Sequence, residues 1–191
     1  DELFKRAKPF MPKEAQTFPQ AYQKEVLSLV QERLKLLSEI PELTWFFFER
    51  PKISKSELLD VKGLNEWRHP EFAEDSEAKS KNSEPNQKNS SEGTQNKPSL
   101  SFRRGTEGEA AAAMISHALN LIEKSDFSPE DLQLKLNQAL EDLNTKPKVL
   151  FALLRNALTG ARFTPPLNDC MSVLGKAETN KRLIKSIESL I

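Results

Sequence analysis

Lys148-Val-Leu-Phe-Ala-Leu-Leu-Arg155-Asn-Ala-Leu-Thr-Gly160 decides the fold of this chain, and Thr164-Pro-Pro-Leu167 and Leu174-Gly-Lys176 follow close behind it. Pro147 is suited to the first turn of a helix, and Leu150, Leu153, Leu154, Ala157 and Leu158 recur on one face of it. Gly160 supplies the left-handed residue that ends a helix, so one apolar helix is predicted with a single arginine, Arg155, in its middle. The two prolines at 165 and 166 stiffen the next corner. Short helices are expected at about 166–174 and 178–190, separated at Gly175.

Outward from this stretch the same periodicity persists. Ala111, Met114, Ile115, Ala118, Leu119 and Ile122 mark one helix. Ser128-Pro-Glu-Asp131 opens the next, with a capping serine, a proline at the first helical position and acids facing the positive end of the helix dipole. Leu132, Leu136, Leu140 and Leu143 give it an apolar stripe. Nearer the start, Val26, Val30, Leu34 and Leu37 predict a helix from Gln20 to Glu39, with Pro41 beyond its exit. The aromatic run Thr44-Trp-Phe-Phe-Phe48 is too short to assign, and its rings are expected to fill a small core. No stretch alternates like a strand over a useful length, so the fold class is all-α.

Between Ala73 and Ser99 there is no Val, Ile, Leu, Met, Phe, Trp or Tyr. Such a segment cannot bury enough apolar surface to offset its ordering entropy, so disorder is expected there. The chain accordingly divides into a first helical part at 1–72, a low-complexity insertion at 73–108 and a second helical part at 109–191.

Composition sets bounds on function. Charged residues make up 29% and the net charge is zero, so bulk electrostatics points to no polyanion. The charge is uneven, however. From Thr145 to Ile191 there are eight Lys or Arg against three acids, and from Glu107 to Leu143 eight acids against two lysines. A basic block beside an acidic one suits a localised anionic partner, although solvated helix faces also drift in charge in this way. Cys170 is the only cysteine, which excludes a disulfide framework and suggests a reducing compartment. Its neighbours Leu167, Met171 and Leu174 suggest a buried, inert thiol. No apolar run is long enough to span a bilayer. The opening Asp1-Glu-Leu-Phe reads as a cut inside a longer polypeptide.

The sequence carries no catalytic constellation. His69 and His117 stand at no metal-ligand spacing, so no metal site is expected. No Gly-rich loop follows a strand, and Glu130 with Asp131 read as residues of a helix start. No catalytic residue is assigned.

Two blocks resemble bacterial-type glutamyl-tRNA synthetases. The first is Val30-Gln-Glu-Arg33-Leu-Lys35 with Trp45-Phe-Phe-Phe48. The second is Leu150-Phe-Ala-Leu-Leu-Arg155-Asn-Ala-Leu-Thr-Gly160, then Thr164-Pro165-x-Leu167, Leu174-Gly-Lys176 and Arg182-Leu183. The resemblance implies a helical anticodon-binding bundle in two subregions, beyond a class I catalytic domain that would use ATP and magnesium and is missing here. It implies that Arg155 reads an anticodon base and that Thr164, Pro165 and Leu167 form the turn against which bases pack. Arg33 is a second candidate for base contact, and Arg162, Lys176, Lys181 and Arg182 are candidates for phosphate contact. From the bare residues each of these could equally be an ordinary surface cation. Arginine's planar donor fork and flat face suit unstacked bases. Pro166 replaces the glycine often found in that turn. Lys52-Ile-Ser-Lys-Ser56 looks like the lysine-serine loop that stabilises ATP phosphates in class I synthetases, but the nucleotide-binding sheet it needs is absent; Ser54 or Ser56 is expected to cap Glu57-Leu-Leu-Asp60.

The partner implied is tRNA, glutamate tRNA first and glutamine tRNA second, with no cofactor held by this chain, no membrane and a monomeric state. The low-complexity insertion suggests a eukaryotic source, and a bacterial-type synthetase there points to the mitochondrial matrix; the bacterial cytoplasm is the alternative. The competing reading is a non-catalytic helical protein-interaction module with a basic docking end.

Overall fold

A computed structural model of the chain describes residues 2–67, 106–161 and 164–191. Eight α-helices and no strand occur among the described residues: α1 Glu2–Ala7, α2 Gln20–Val30, α3 Ile40–Phe48, α4 Lys55–Leu59, α5 Glu107–Ile122, α6 Pro129–Asp142, α7 Pro147–Thr159 and α8 Leu167–Leu190. The all-α class expected from the sequence is what the structure has. The disorder expected at 73–108 falls outside the described residues, apart from Thr106 to Gly108, which already open α5.

Local chemistry sets the helix starts. Ser54 accepts a hydrogen bond from the Glu57 N–H at 3.3 Å while Glu57 Oε2 accepts from the Ser54 N–H at 2.8 Å. Thr106 and Glu109 repeat this reciprocal arrangement at α5, and Ser128 caps α6 through the Asp131 N–H. Pro129 and Pro147 stand in the first turns of α6 and α7. Gly160 ends α7 at φ +59, and Gly175 breaks α8 at φ +76 and ψ 163. The two expected C-terminal helices are therefore one element with a sharp break.

The single helix expected from Gln20 to Glu39 is not formed; α2 stops at Val30. The Glu39 carboxylate accepts from the Lys35 and Leu36 N–H groups at 3.1 and 3.3 Å, which opens a separate 3-10 turn at Leu37–Glu39 leading into α3. Arg33 leaves the helical path and reaches the Thr164 carbonyl. Pro41, expected beyond a helix exit, lies instead in the first turn of α3, where its missing N–H costs nothing. The aromatic run left unassigned forms the rest of α3, with Phe46, Phe47 and Phe48 buried.

The largest core gathers α5, α6, α7 and both halves of α8 around Ile115, Leu136, Leu150, Leu154, Met171 and Leu183. Leu58, Val61, Leu64 and Trp67 pack into it from the N-terminal part. A second core joins Val26 and Phe46–Phe48 to Cys170 and Leu174 of α8, with Phe18, Tyr22 and Phe48 in mutual ring contact. A third holds Phe4, Ala7, Leu27, Val30 and Ile40. The cores thus do not part at the polar stretch of the sequence, because α8 belongs to two of them.

Side chains close the helix C-termini, whose last carbonyls have no helical partner. Arg182 Nη1 donates to the carbonyls of Phe46 at 2.8 Å and Leu158 at 2.7 Å, in the last turns of α3 and α7. Tyr22 donates to Phe47 O, Trp67 Nε1 to Leu143 O, Lys176 Nζ to Glu123 O, and Lys55 Nζ to Leu190 O. A cation in this position also opposes the negative end of the helix dipole.

Candidate nucleic-acid interface

The amphipathic pattern of α7 determines where Arg155 sits. Val149, Leu150, Leu153, Leu154, Ala157 and Leu158 are all buried, which leaves Arg155 half-buried on the flank. Its Nε donates to Thr164 Oγ1 at 2.8 Å. Arg33, 131 positions away in sequence from Thr164, donates Nη1 to the Thr164 main-chain oxygen at 2.6 Å. Two guanidinium groups therefore converge on one threonine, one on its hydroxyl and one on its carbonyl.

The acceptors at this point are neutral. Neither arginine makes an ion pair among the described residues. Each guanidinium has five N–H donors in a planar fork, and most have no acceptor among the described residues. The pair thus presents concentrated positive charge and outward donors, held in place by contacts that neutralise none of it. Cys170 lies beneath the turn and donates Sγ–H to Pro165 O at 3.7 Å. Burial pushes its thiol up to about 12; Asp169 adds to this, and Arg155 and Arg33 oppose it. It is a buried thiol, as its neighbours suggested.

The turn itself is less open than the resemblance implies. Thr164 and Leu167 are each 5% exposed and Pro165 is buried, whereas Pro166 is exposed. The exposed corner is thus the residue that departs from the family pattern. Arg162 lies outside the described residues. Lys176 and Arg182, candidates for phosphate contact, serve as helix-end caps: Lys176 holds Glu123 O, and Arg182 is 6% exposed on Phe46 O, Leu158 O and Glu178. Lys181 is exposed and faces a groove with Arg50 and Lys185. The sequence did not single out Arg50, whose bidentate pair with Glu178 joins residues 128 apart at 2.7 Å. The charge count of the C-terminal block could have flagged Lys185 but did not single it out.

The segment Lys52–Ser56 does not fit a nucleotide phosphate. Ser54 caps α4 and Lys55 caps α8, so both side chains are already committed. Among the described residues no three His, Cys, Asp or Glu side chains come together as metal ligands.

Residues 2–94 and 92–187 each match the family of the anticodon binding domain. The chain belongs to that family. A glutamate–tRNA ligase from Leifsonia xyli is 46% identical over 79 residues, covering 41% of this chain and 16% of that protein. One from Dehalococcoides mccartyi is 25% identical over 195 residues, covering 99% of this chain and 32% of that protein. The crystal structure of a glutamate tRNA ligase from Elizabethkingia meningosepticum, in complex with its amino acid, superposes with a TM-score of 0.59 at 18% identity. That superposition covers 97% of this chain and 30% of the other, and it shows a shared fold. The chain spans under a third of the length of these relatives, and it matches their anticodon-binding part.

Proposed function

We infer that this anticodon-binding domain reads the anticodon of glutamate tRNA for a class I ligase that joins glutamate to that tRNA with ATP and magnesium. The observation that carries the reading is the convergence of Arg33 and Arg155 on Thr164 through neutral acceptors, with no carboxylate on either among the described residues. A guanidinium anchored at one nitrogen keeps a flat face for stacking and a fork for base edges, which suits splayed single-stranded bases. Stacking of this kind contributes about 1–3 kcal/mol per base. Glutamine tRNA is a second substrate of the same site, because this reading rests on anticodon bases that the two tRNAs partly share. The mitochondrial matrix is the proposed location, resting on the polar insertion in the sequence.

Fluorescence anisotropy with labelled glutamate tRNA tests this directly. Affinity should fall when anticodon bases are changed, and Arg155→Ala should remove that sensitivity. Arg155→Lys should not restore it, since an ammonium has neither fork nor face. Binding by the wild-type chain that ignores the anticodon would refute the reading.

A further inference from the structure

A second cationic feature lies on the other side of α7. The loop from Arg50 to Ile53, Leu58 of α4, Ala157 of α7 and the last three turns of α8 enclose a groove of about 160 Å³. Arg50, Lys181, Arg182 and Lys185 line it, and no acid does. Glu178 is adjacent but is shared between Arg50 and Arg182, which leaves a local excess of positive charge. Lys181 and Lys185 stand one turn apart on α8, both exposed, and neither makes a hydrogen bond or ion pair among the described residues.

The deepest member is the most telling. The Arg182 side chain is 5% exposed, yet its hydrogen bonds use only Nε and Nη1; Nη2 has no partner among the described residues. Nη2 is not a buried orphan but keeps solvent access at the groove wall, where an anionic ligand could replace water as its acceptor. Ser186 Oγ does not accept from it among the described residues; that hydroxyl donates toward Ala157 O and Arg182 O.

We propose that this groove binds a backbone phosphate of an RNA strand, between Lys181, Lys185 and Arg50 and over the free Nη2 of Arg182. The inference rests on the tRNA reading for its ligand but not on the anticodon site. Arg155 and Ala157 are two positions apart on α7, about 200° around the helix. The groove therefore holds a strand segment distinct from the one at Thr164. It contributes affinity without base preference, since phosphate contacts carry no sequence information.

The test is the salt dependence of binding to labelled glutamate tRNA, measured for the chain and for Lys181→Gln/Lys185→Gln. Both sites are exposed, and a urea titration checks that the variant keeps its fold. The slope of log affinity against log salt should fall in magnitude by about 1 to 2, with anticodon preference unchanged. The Lys181→Arg/Lys185→Arg pair should restore it. An unchanged slope with anticodon preference intact overturns the groove and leaves the anticodon reading standing. A reduced slope in a chain indifferent to the anticodon supports the groove and sinks the anticodon reading. No binding of tRNA by the wild-type chain overturns both.

Discussion

Replacing Arg182 by methionine should be the most damaging single change on α8. The aliphatic stem of arginine is roughly matched by methionine, so the loss is confined to the guanidinium and its partners. Those partners are the carbonyls of Phe46 and Leu158, held at 2.8 and 2.7 Å in the last turns of α3 and α7, and Glu178 at 2.8 Å. Each carbonyl would be left buried without a donor, at about 1–3 kcal/mol apiece. Glu178 would suffer less, because Arg50 still holds both its oxygens. The expected cost is about 4 kcal/mol, a large share of the 5–15 kcal/mol typical of a whole domain.

Urea unfolding followed by far-ultraviolet circular dichroism measures this cost. Glu178→Gln is the contrast: it keeps both carbonyl contacts and should cost only about 2 kcal/mol, the worth of the carboxylate's charge. Should Arg182→Met leave too little folded protein, Arg182→Lys provides an intermediate, since one ammonium keeps the charge without the fork. A cost for Arg182→Met below about 1 kcal/mol, or equal to that of Glu178→Gln, would refute the argument that this arginine works by closing two helix ends.

Four smaller effects follow from the same geometry. Glu178 is held down to about 2 from 4.5, chiefly by its hydrogen bond from Arg50 and then by Arg182. Its folded value is depressed, so this stabilisation is present above pH 4.5 and lost as pH falls toward 2. The loss should be roughly 2 kcal/mol after allowing for solvent screening of exposed Arg50, and Glu178→Gln should flatten that limb of the acid titration. Cys170, pushed up to about 12 by burial, should resist a thiol reagent at pH 8 in the folded chain and react once urea unfolds it. Gly175→Ala meets no atom within 4 Å, so its cost should be backbone strain alone, about 1–3 kcal/mol by thermal unfolding. Thr164→Val removes the hydroxyl that anchors Arg155 but keeps the carbonyl that holds Arg33; anticodon discrimination should drop in the anisotropy assay while stability changes by about 1 kcal/mol or less.

The helices at the C-terminal end were legible because their boundaries are written locally. Ser128-Pro129, Pro147, Gly160 and Gly175 each act within one turn, and the structure has all four where the periodicity put them. The exit of α2 was not legible, since the apolar spacing continues past Val30. What ends it is the Glu39 carboxylate turning back to Lys35 and Leu36, together with Arg33 reaching across to Thr164. The second of these contacts depends on the folded chain bringing distant segments together. The same holds for Arg50, whose partner Glu178 is 128 residues away. The motif around Arg155 and Thr164 pointed to a corner where the structure does join those two side chains, but only packing reveals that Thr164, Pro165 and Leu167 are covered and Pro166 is exposed.

The basic block at the C-terminal end illustrates how composition overstates what a polyanion can use. By charge count alone its cations are equivalent, yet a helical bundle has its own demand for them. Every helix ends in carbonyls without partners, and where such an end is buried against a neighbour a long cationic side chain can close it. Lys176 does this for α5, and Arg182 does it for α3 and α7 together. Arg155 occupies a middle case: one nitrogen is held by Thr164, while the fork and its charge are left over. Lys181 and Lys185 have no such internal duty among the described residues. The residues able to meet RNA are therefore those whose charge the fold does not consume. On that criterion the proposed interface comprises Arg33, Arg155, Lys181, Lys185 and the partly committed Arg50 and Arg182, rather than the block as a whole.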